Sequence, residues 1–345
     1  MRRASAAIAM LVLAGGLAAC GGAASAGSPG SAQTTLTLYN GQHEQTTQAL
    51  VAAFEKQTGI KVTVRSDGES VVTGQILQEG SRSPADVIYT ENSPPLEKLQ
   101  EQHLLAPASA STLGSVPARY SSPAGDWVGV SARDTVLVYN TRALSAAQLP
   151  KSALDLASPQ WKGKFGFAPA ETDLQPVISS IARAKGQAAA LAWLKGLKAN
   201  AGTSVYPDNE TVMAKINSGQ VQIALINNYY WYRLRLQLGA GAMHSAVAHL
   251  APADSGYVVD ISGAGMLASS RHQAAAQKFL AFLVSAQGQA IIAASDSFEY
   301  PLRPGVAAAA ALTPAFSQLS PAPDTITDLG DGSLPLSLLQ QAQLG

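Results

Sequence analysis

Between Thr35 and Leu99 the chain switches repeatedly between two apolar periods, and this switching limits its fold more than any other feature. Thr35 to Tyr39 alternates as a strand does, and Asn40-Gly41 after it is a turn signal. Leu50, Val51 and Phe54 then fall on one face of a helix that Gly59 ends. Ile60 to Val64 alternates again, Val71 to Leu77 has a helical pattern, Ala85 to Tyr89 reads as a short buried strand, and Pro94 to Leu99 opens another helix. This β-α-β-α-β-α order predicts an α/β fold with a mostly parallel sheet.

A second α/β unit follows. Thr135 to Tyr139 is an apolar strand, Trp161 to Phe167 reads as a turn leading into a strand, and Leu174 to Ala184 and Ala188 to Leu197 are helical. Ile223 to Ile226 is a strand with a tyrosine-rich helix start behind it. Tyr257 to Met266 is Gly-rich and apolar and returns the chain to the first unit. Helices are expected at Gln273 to Leu283 and Leu334 to Gln343, and no internal repeat is visible. The folded part, roughly 310 residues, exceeds one hydrophobic core and calls for two lobes.

The N-terminus reads as an export leader over residues 1–19. Arg2 and Arg3 form a basic start, Ala6 to Leu17 is apolar, and Leu17-Ala18-Ala19-Cys20-Gly21 ends it with small residues. That ending resembles a bacterial lipobox, with Cys20 as the lipidated residue. Residues 20–34 are then a lipidated cysteine and a flexible tether of Gly, Ala, Ser, Pro, Gln and Thr. Cys20 is the only cysteine, so no internal disulfide is available. The apolar run is short for a spanning helix, which needs about 20 residues. The chain has 23 basic and 23 acidic residues, and loss of Arg2 and Arg3 with the leader tips it slightly acidic. No basic patch suits a nucleic acid. The partner expected is a small solute or another protein.

Chemistry concentrates at Asn227-Asn228-Tyr229-Tyr230-Trp231-Tyr232, directly behind the apolar run Ile223 to Ile226. Adjacent phenols beside two Asn are not what a core needs. Hard, highly charged cations prefer oxygen ligands, and Fe3+ can hold phenolates near neutral pH although free Tyr titrates near about 10. His43, Glu91 and Tyr229 each follow a strand end, where ligands gather in open α/β sheets. A neutral His43 with Glu91, Tyr229 and Tyr230 carries three negative charges and balances Fe3+. Two adjacent tyrosines can reach one ion if they open a helix with Asn227 near its cap.

Four segments carry a family resemblance: Leu38 to His43, Glu79 to Val87, Tyr89 to Glu91, and Ala224 to Trp231. In order and spacing the chain resembles the periplasmic ferric-ion-binding proteins of bacterial iron ABC transporters, over nearly all of its mature length. The resemblance implies a two-lobe type II periplasmic binding protein fold with crossing hinge strands. Its N-terminal lobe would comprise 35–135 plus 262–312, and its C-terminal lobe 136–261 plus 313–345. It implies iron ligation by His43, Glu91, Tyr229 and Tyr230, and no enzyme activity. It also implies a lipid-anchored monomer on the outer face of the cell membrane that delivers ferric ion to an ABC transporter permease.

One stretch departs from the family. Many members hold a synergistic anion such as phosphate or carbonate at a helix start, where this chain has Pro169-Ala170-Glu171-Thr172-Asp173-Leu174. Helix-start amides favour an anion, but Glu171 and Asp173 would repel one. Either one of these acids fills the anion's place near the metal or both point away. The first reading is favoured here. Asn209 and Asn227 match residues that help hold the anion, and Asn92 replaces the Gln often found beside the Glu ligand. Tyr39 and Tyr139 are read as core or cleft-lining aromatics, Trp231 and Tyr232 as packing against or supporting the ligands, and His103, His244, His249 and His272 as non-ligands. Asp324, Asp328 and Asp331 lack the spacing of a calcium loop and are read as turns and a helix cap. The alternatives are the same fold holding a ferric chelate, an organic anion or a polyamine, or a surface metalloenzyme. No nucleophile elbow, P-loop or zinc-helix motif supports the last.

Overall fold

A computed structural model describes residues 34–345. The leader, Cys20 and the tether up to residue 33 lie outside the described residues. The nine strands are β1 (Thr35–Gly41), β2 (Lys61–Ser66), β3 (Val87–Thr90), β4 (Leu105–Ala106), β5 (Trp127–Asn140), β6 (Ile223–Asn227), β7 (Ser245–Ala248), β8 (Val259–Leu267) and β9 (Tyr300–Pro301). They are linked in the order β2-β1-β3-β8-β5-β6, with β4 on β8 and both β7 and β9 on β5.

The helices Glu44–Thr58, Glu69–Glu79 and Pro94–Glu101 follow β1, β2 and β3, as the apolar periods predict. Gly59 ends the first in the left-handed conformation at φ +71°. Helices also form at Leu174–Lys185, Gln187–Ala201, Gln273–Leu283 and Ser333–Gln341. Three local expectations need correction. The sheet is not mostly parallel: only β1 with β2 and β1 with β3 run parallel, and every pairing of β5 or β8 is antiparallel. The cause is that β5 and β8 carry the chain across the molecule in opposite senses. Asn40-Gly41 does not turn but completes β1. Gly41 is needed there for close approach, since a Cβ would lie 2.6 Å from Glu69 Cα. Phe165 and Phe167 make only isolated bridges, to Ile223 and Val205, so Trp161 to Phe167 does not become a strand. Tyr229 and Tyr230 open the helix Tyr229–Leu238 with Asn227 next to its N-cap residue Asn228, as expected, although the Asn228 side chain does not cap it.

The buried apolar residues fall into separate clusters. One gathers Leu36, Leu38, Val87 and Ile88 of β1 and β3 with Phe54, and Phe54 meets Phe279 edge-on at 5.0 Å between centroids. A second gathers Trp161, Ile178, Trp193 and Leu194 with Leu338 and Leu339 of the last helix. A third joins Val136 and Val138 of β5 to Ile216, Ala224 and Ile226, and Tyr229 and Tyr230 belong to it. β5 runs for 14 residues, buried throughout, from the first cluster into the other two. β8 makes the return. Between the clusters, β5 carries Arg133 and Asp134, both fully buried, and Arg133 lies opposite Asp260 of β8. The fold is two lobes joined by crossing strands, and the crossing point is charged.

Candidate functional site

Three strand ends meet at the crossing. β1 ends two residues before His43, β3 ends beside Glu91, and β6 ends two residues before Tyr229. His43 stands at the N-terminus of the helix Glu44–Thr58, where its carbonyl accepts from Thr47 N–H at 3.0 Å. His43 Nδ1 is 2.8 Å from Glu91 Oε1. The His43 ring meets the Tyr229 ring edge-on, with centroids 5.0 Å apart and planes at 77°. Tyr229 and Tyr230 lie side by side at 4.1 Å, because adjacent positions on a helix differ by only about 100°. Both hydroxyls donate to one oxygen, Asp173 Oδ2, at 3.2 and 2.8 Å. Asn209 Nδ2 approaches the same oxygen at 3.3 Å.

The structure therefore brings His43, Glu91, Tyr229, Tyr230 and Asp173 into one chain of contacts. Asn227 is buried and shares a small recess with Asp173 and Asn209, and its Nδ2 makes no hydrogen bond among the described residues. Glu171 lines an open cleft of about 390 Å³ with His43, Glu69, Glu91 and Asp67. Asn92 links Arg133, Glu69 and Thr172. It accepts from Arg133 Nη2 at 2.5 Å, and its amide donates to Glu69 at 2.6 Å and to Thr172 at 3.1 Å.

Burial governs the electrostatics. It pushes the Tyr229 and Tyr230 phenols well above their ordinary range, and Asp173 and Glu91 add to the rise. Glu171 is pushed up to about 8 by burial, then by Asp173, Glu210 and Glu91. Glu69 also rises to about 8, again chiefly through burial. Burial of Glu91 works in the same direction, but the His43 charge and hydrogen bond outweigh it and hold Glu91 low. His43 is raised by Glu91 against its own desolvation. His43 Nε2 and Asp173 Oδ1 are buried and make no hydrogen bond among the described residues. A site of this kind offers oxygen ligand atoms and one imidazole nitrogen, a set that suits a hard cation.

Other expectations resolve by position. Tyr39 and Tyr139 are buried in the two lobes' cores. Tyr232 donates to the Thr313 carbonyl at 3.0 Å, and Trp231 Nε1 donates to the Ser245 carbonyl at 3.1 Å. His249 pairs with Asp134 at 2.8 Å and His272 with Asp86 at 3.2 Å, so these rings are engaged elsewhere. Asp328 forms a capping box with Thr325, Asp324 meets Arg183, and Asp331 accepts from Ser333 N–H. The sequence reading missed Arg133, Asp260 and Glu299. Arg133 is fully buried, 3.9 Å from both Asp173 and Asp260 and 3.4 Å from Glu299. For Arg133 alone the charged Arg133-Asp134 pair inside a mostly apolar strand was an available signal.

Residues 49–319 match the family described as bacterial extracellular solute-binding protein. The chain is 43% identical over 284 residues to the Fe(3+)-binding periplasmic protein of Serratia marcescens, covering 82% of this chain and 83% of that one. It is 40% identical over 309 residues to the major ferric iron-binding protein of Neisseria meningitidis serogroup B, covering 89% and 92%. Among solved structures, iron-bound HitA from Pseudomonas aeruginosa superposes with a TM-score of 0.86 at 43% identity, over 90% of this chain and 99% of that one. These relatives are transport binding proteins and not enzymes. By this likeness and by its two-lobe fold, the chain belongs to the bacterial extracellular solute-binding proteins, in the branch of the periplasmic ferric-ion-binding proteins.

Proposed function

We propose that this protein captures Fe3+ between its lobes outside the cytoplasmic membrane and delivers it to an ABC transporter permease. The observation that carries the reading is the convergence of Tyr229 and Tyr230 hydroxyls on Asp173 Oδ2, beside the His43–Glu91 pair. Residues 35–135 plus 262–312 form the lobe that supplies His43 and Glu91. Residues 136–261 plus 313–345 form the lobe that supplies Tyr229 and Tyr230. Glu91 and two phenolates offset the three charges of the ion, and Arg133 offsets Asp173. Binding bridges the lobes and stabilises the closed state by contacts that only this state makes.

Asp173 takes the place of an exogenous phosphate or carbonate. Its carboxylate already holds the Tyr229 and Tyr230 hydroxyls and the Asn209 amide, and an added anion would meet Asp173, Glu171 and Glu91 together. Asn92, Asn209 and Asn227 then serve as supports around the ligands. The acids lining the cleft also disfavour an anionic chelate or organic anion as the cargo. Cys20 carries the lipid that anchors the monomer to the outer face of the membrane through its tether. Equilibrium dialysis against ferric ion on a weak chelator tests the reading. One iron retained per chain is expected, with none in the Tyr229→Phe, Tyr230→Phe double variant. Equal uptake by that variant overturns the site.

A further inference from the structure

The candidate ligands account for the mouth of the site but leave several buried acids without a task, Glu299 among them. Glu299 is 1% exposed and comes from a segment far from every ligand in sequence. Ser131 Oγ donates to its Oε2 at 2.8 Å, and Arg133 Nη1 lies 3.4 Å from its Oε1. Its remaining partner is Gln42, whose Nε2 lies 3.3 Å from Oε2 and 3.4 Å from Oε1. The other end of that amide, Gln42 Oε1, accepts from the backbone N–H of His43 at 2.6 Å.

This chain has a fixed sense. A carboxylate only accepts, so the Gln42 NH2 must face Glu299. The His43 N–H only donates, so Oε1 must face it. The second proton of the NH2 goes to Ser262 Oγ at 2.7 Å, which itself donates to the Thr90 carbonyl at 2.7 Å, next to Glu91. His43 is the first residue outside its helix, so its N–H has no helical acceptor and depends on Gln42. Arg133 is the counterion that makes a buried acid at this place tolerable.

We propose that Glu299 is a positioning residue for the iron site: through Gln42 it fixes the backbone, and hence the ring, of His43. The proposal rests on the ferric reading above. Its role is one of orientation, and Glu299 itself touches no ligand atom.

The test is a mutant cycle, with iron affinity measured by citrate competition on the visible tyrosinate band. Glu299→Gln removes the acceptor-only character and lets the Gln42 amide turn over. Glu299→Asp keeps the charge beside Arg133 but withdraws the carboxylate from Gln42, and serves where Glu299→Gln does not fold. Each variant is expected to bind iron about 10-fold more weakly, the usual scale for support behind a metal ligand. In a His43→Ala background the same change is expected to have less than about 3-fold effect, because the residue it positions is gone. A purely structural role predicts an undiminished effect in that background, and this result overturns the proposal. So does a folded variant that binds like the wild type. A wild type with no tyrosinate band overturns this proposal together with the ferric reading, whereas a normal wild-type band with an additive cycle removes only the role of Glu299.

Discussion

The Tyr230 hydroxyl donates to Asp173 Oδ2 at 2.8 Å, inside a fully buried cluster. The phenol thus already points its proton at the acid where the ion is proposed to bind. Tyr230→Phe deletes one phenolate oxygen and leaves the ring packing in place. The expected result is loss of most of the visible charge-transfer absorbance and at least about 100-fold weaker iron binding, beyond what a supporting residue costs. A ferric titration followed at the band maximum checks it.

Asp173→Asn keeps the shape but turns a charged acceptor into a neutral amide. The tyrosines lose their acceptor and Arg133 loses an opposing charge at 3.9 Å. Iron affinity is expected to fall about 10- to 100-fold without added anion. Phosphate should restore part of the loss in the variant and do nothing for the wild type. Competition assays with and without phosphate separate these outcomes.

Iron binding must release phenol protons, because burial holds both tyrosines well above their ordinary range in the unloaded protein. Raised phenol pKa values mean that the unloaded site holds these protons at neutral pH. Affinity therefore rises with pH and falls on acidification. At fixed free ferric activity the logarithm of the binding constant should climb by about 2 per pH unit near neutrality. A flat profile would mean that the phenols stay protonated in the complex.

Lys98 and Asp331 join the helix Pro94–Glu101 to the start of the helix Ser333–Gln341, with Lys98 Nζ 2.6 Å from Asp331 Oδ2. Burial opposes ionisation of Asp331, but the hydrogen bonds from Lys98 and Ser333 outweigh it and lower the acid from 3.8 to about 2. Its folded value is depressed, so its contribution is present above about pH 3.8 and lost as pH falls through about 2. Asp331→Asn should cost about 1 kcal/mol or less at pH 7, since solvent screens the partly exposed Lys98, and only a small fraction of that near pH 2, where the folded-state acid is half protonated. Urea unfolding at the two pH values reads the difference.

Much of this architecture was legible in the residues. The helices Gln273–Leu283 and Glu44–Thr58 follow from local apolar period and the Gly59 cap, and both formed where that logic puts them. The sense of the sheet was not legible. Parallel pairing was inferred from β-α-β order, but β5 and β8 pair with strands distant in sequence, which no local period records. For the same reason His43, Glu91, Tyr229 and Tyr230 could be nominated from strand ends, oxygen chemistry and motif order. The Arg133, Asp260 and Glu299 cluster could not, because long-range folding alone brings those residues together. Gly41 shows the smaller limit: Asn-Gly usually signals a turn, and here close approach to Glu69 uses the glycine instead.

The central claim is that two tyrosinates hold a ferric ion without a borrowed anion. The most direct measurement is a visible absorption titration of the protein truncated before Cys20, with ferric ion supplied in the presence and absence of phosphate or carbonate. The account predicts a broad charge-transfer band that saturates at one iron per chain, with the same maximum and endpoint in every buffer. No band would contradict tyrosinate ligation of bare ferric ion, and a band that forms only with added anion would contradict the place given to Asp173.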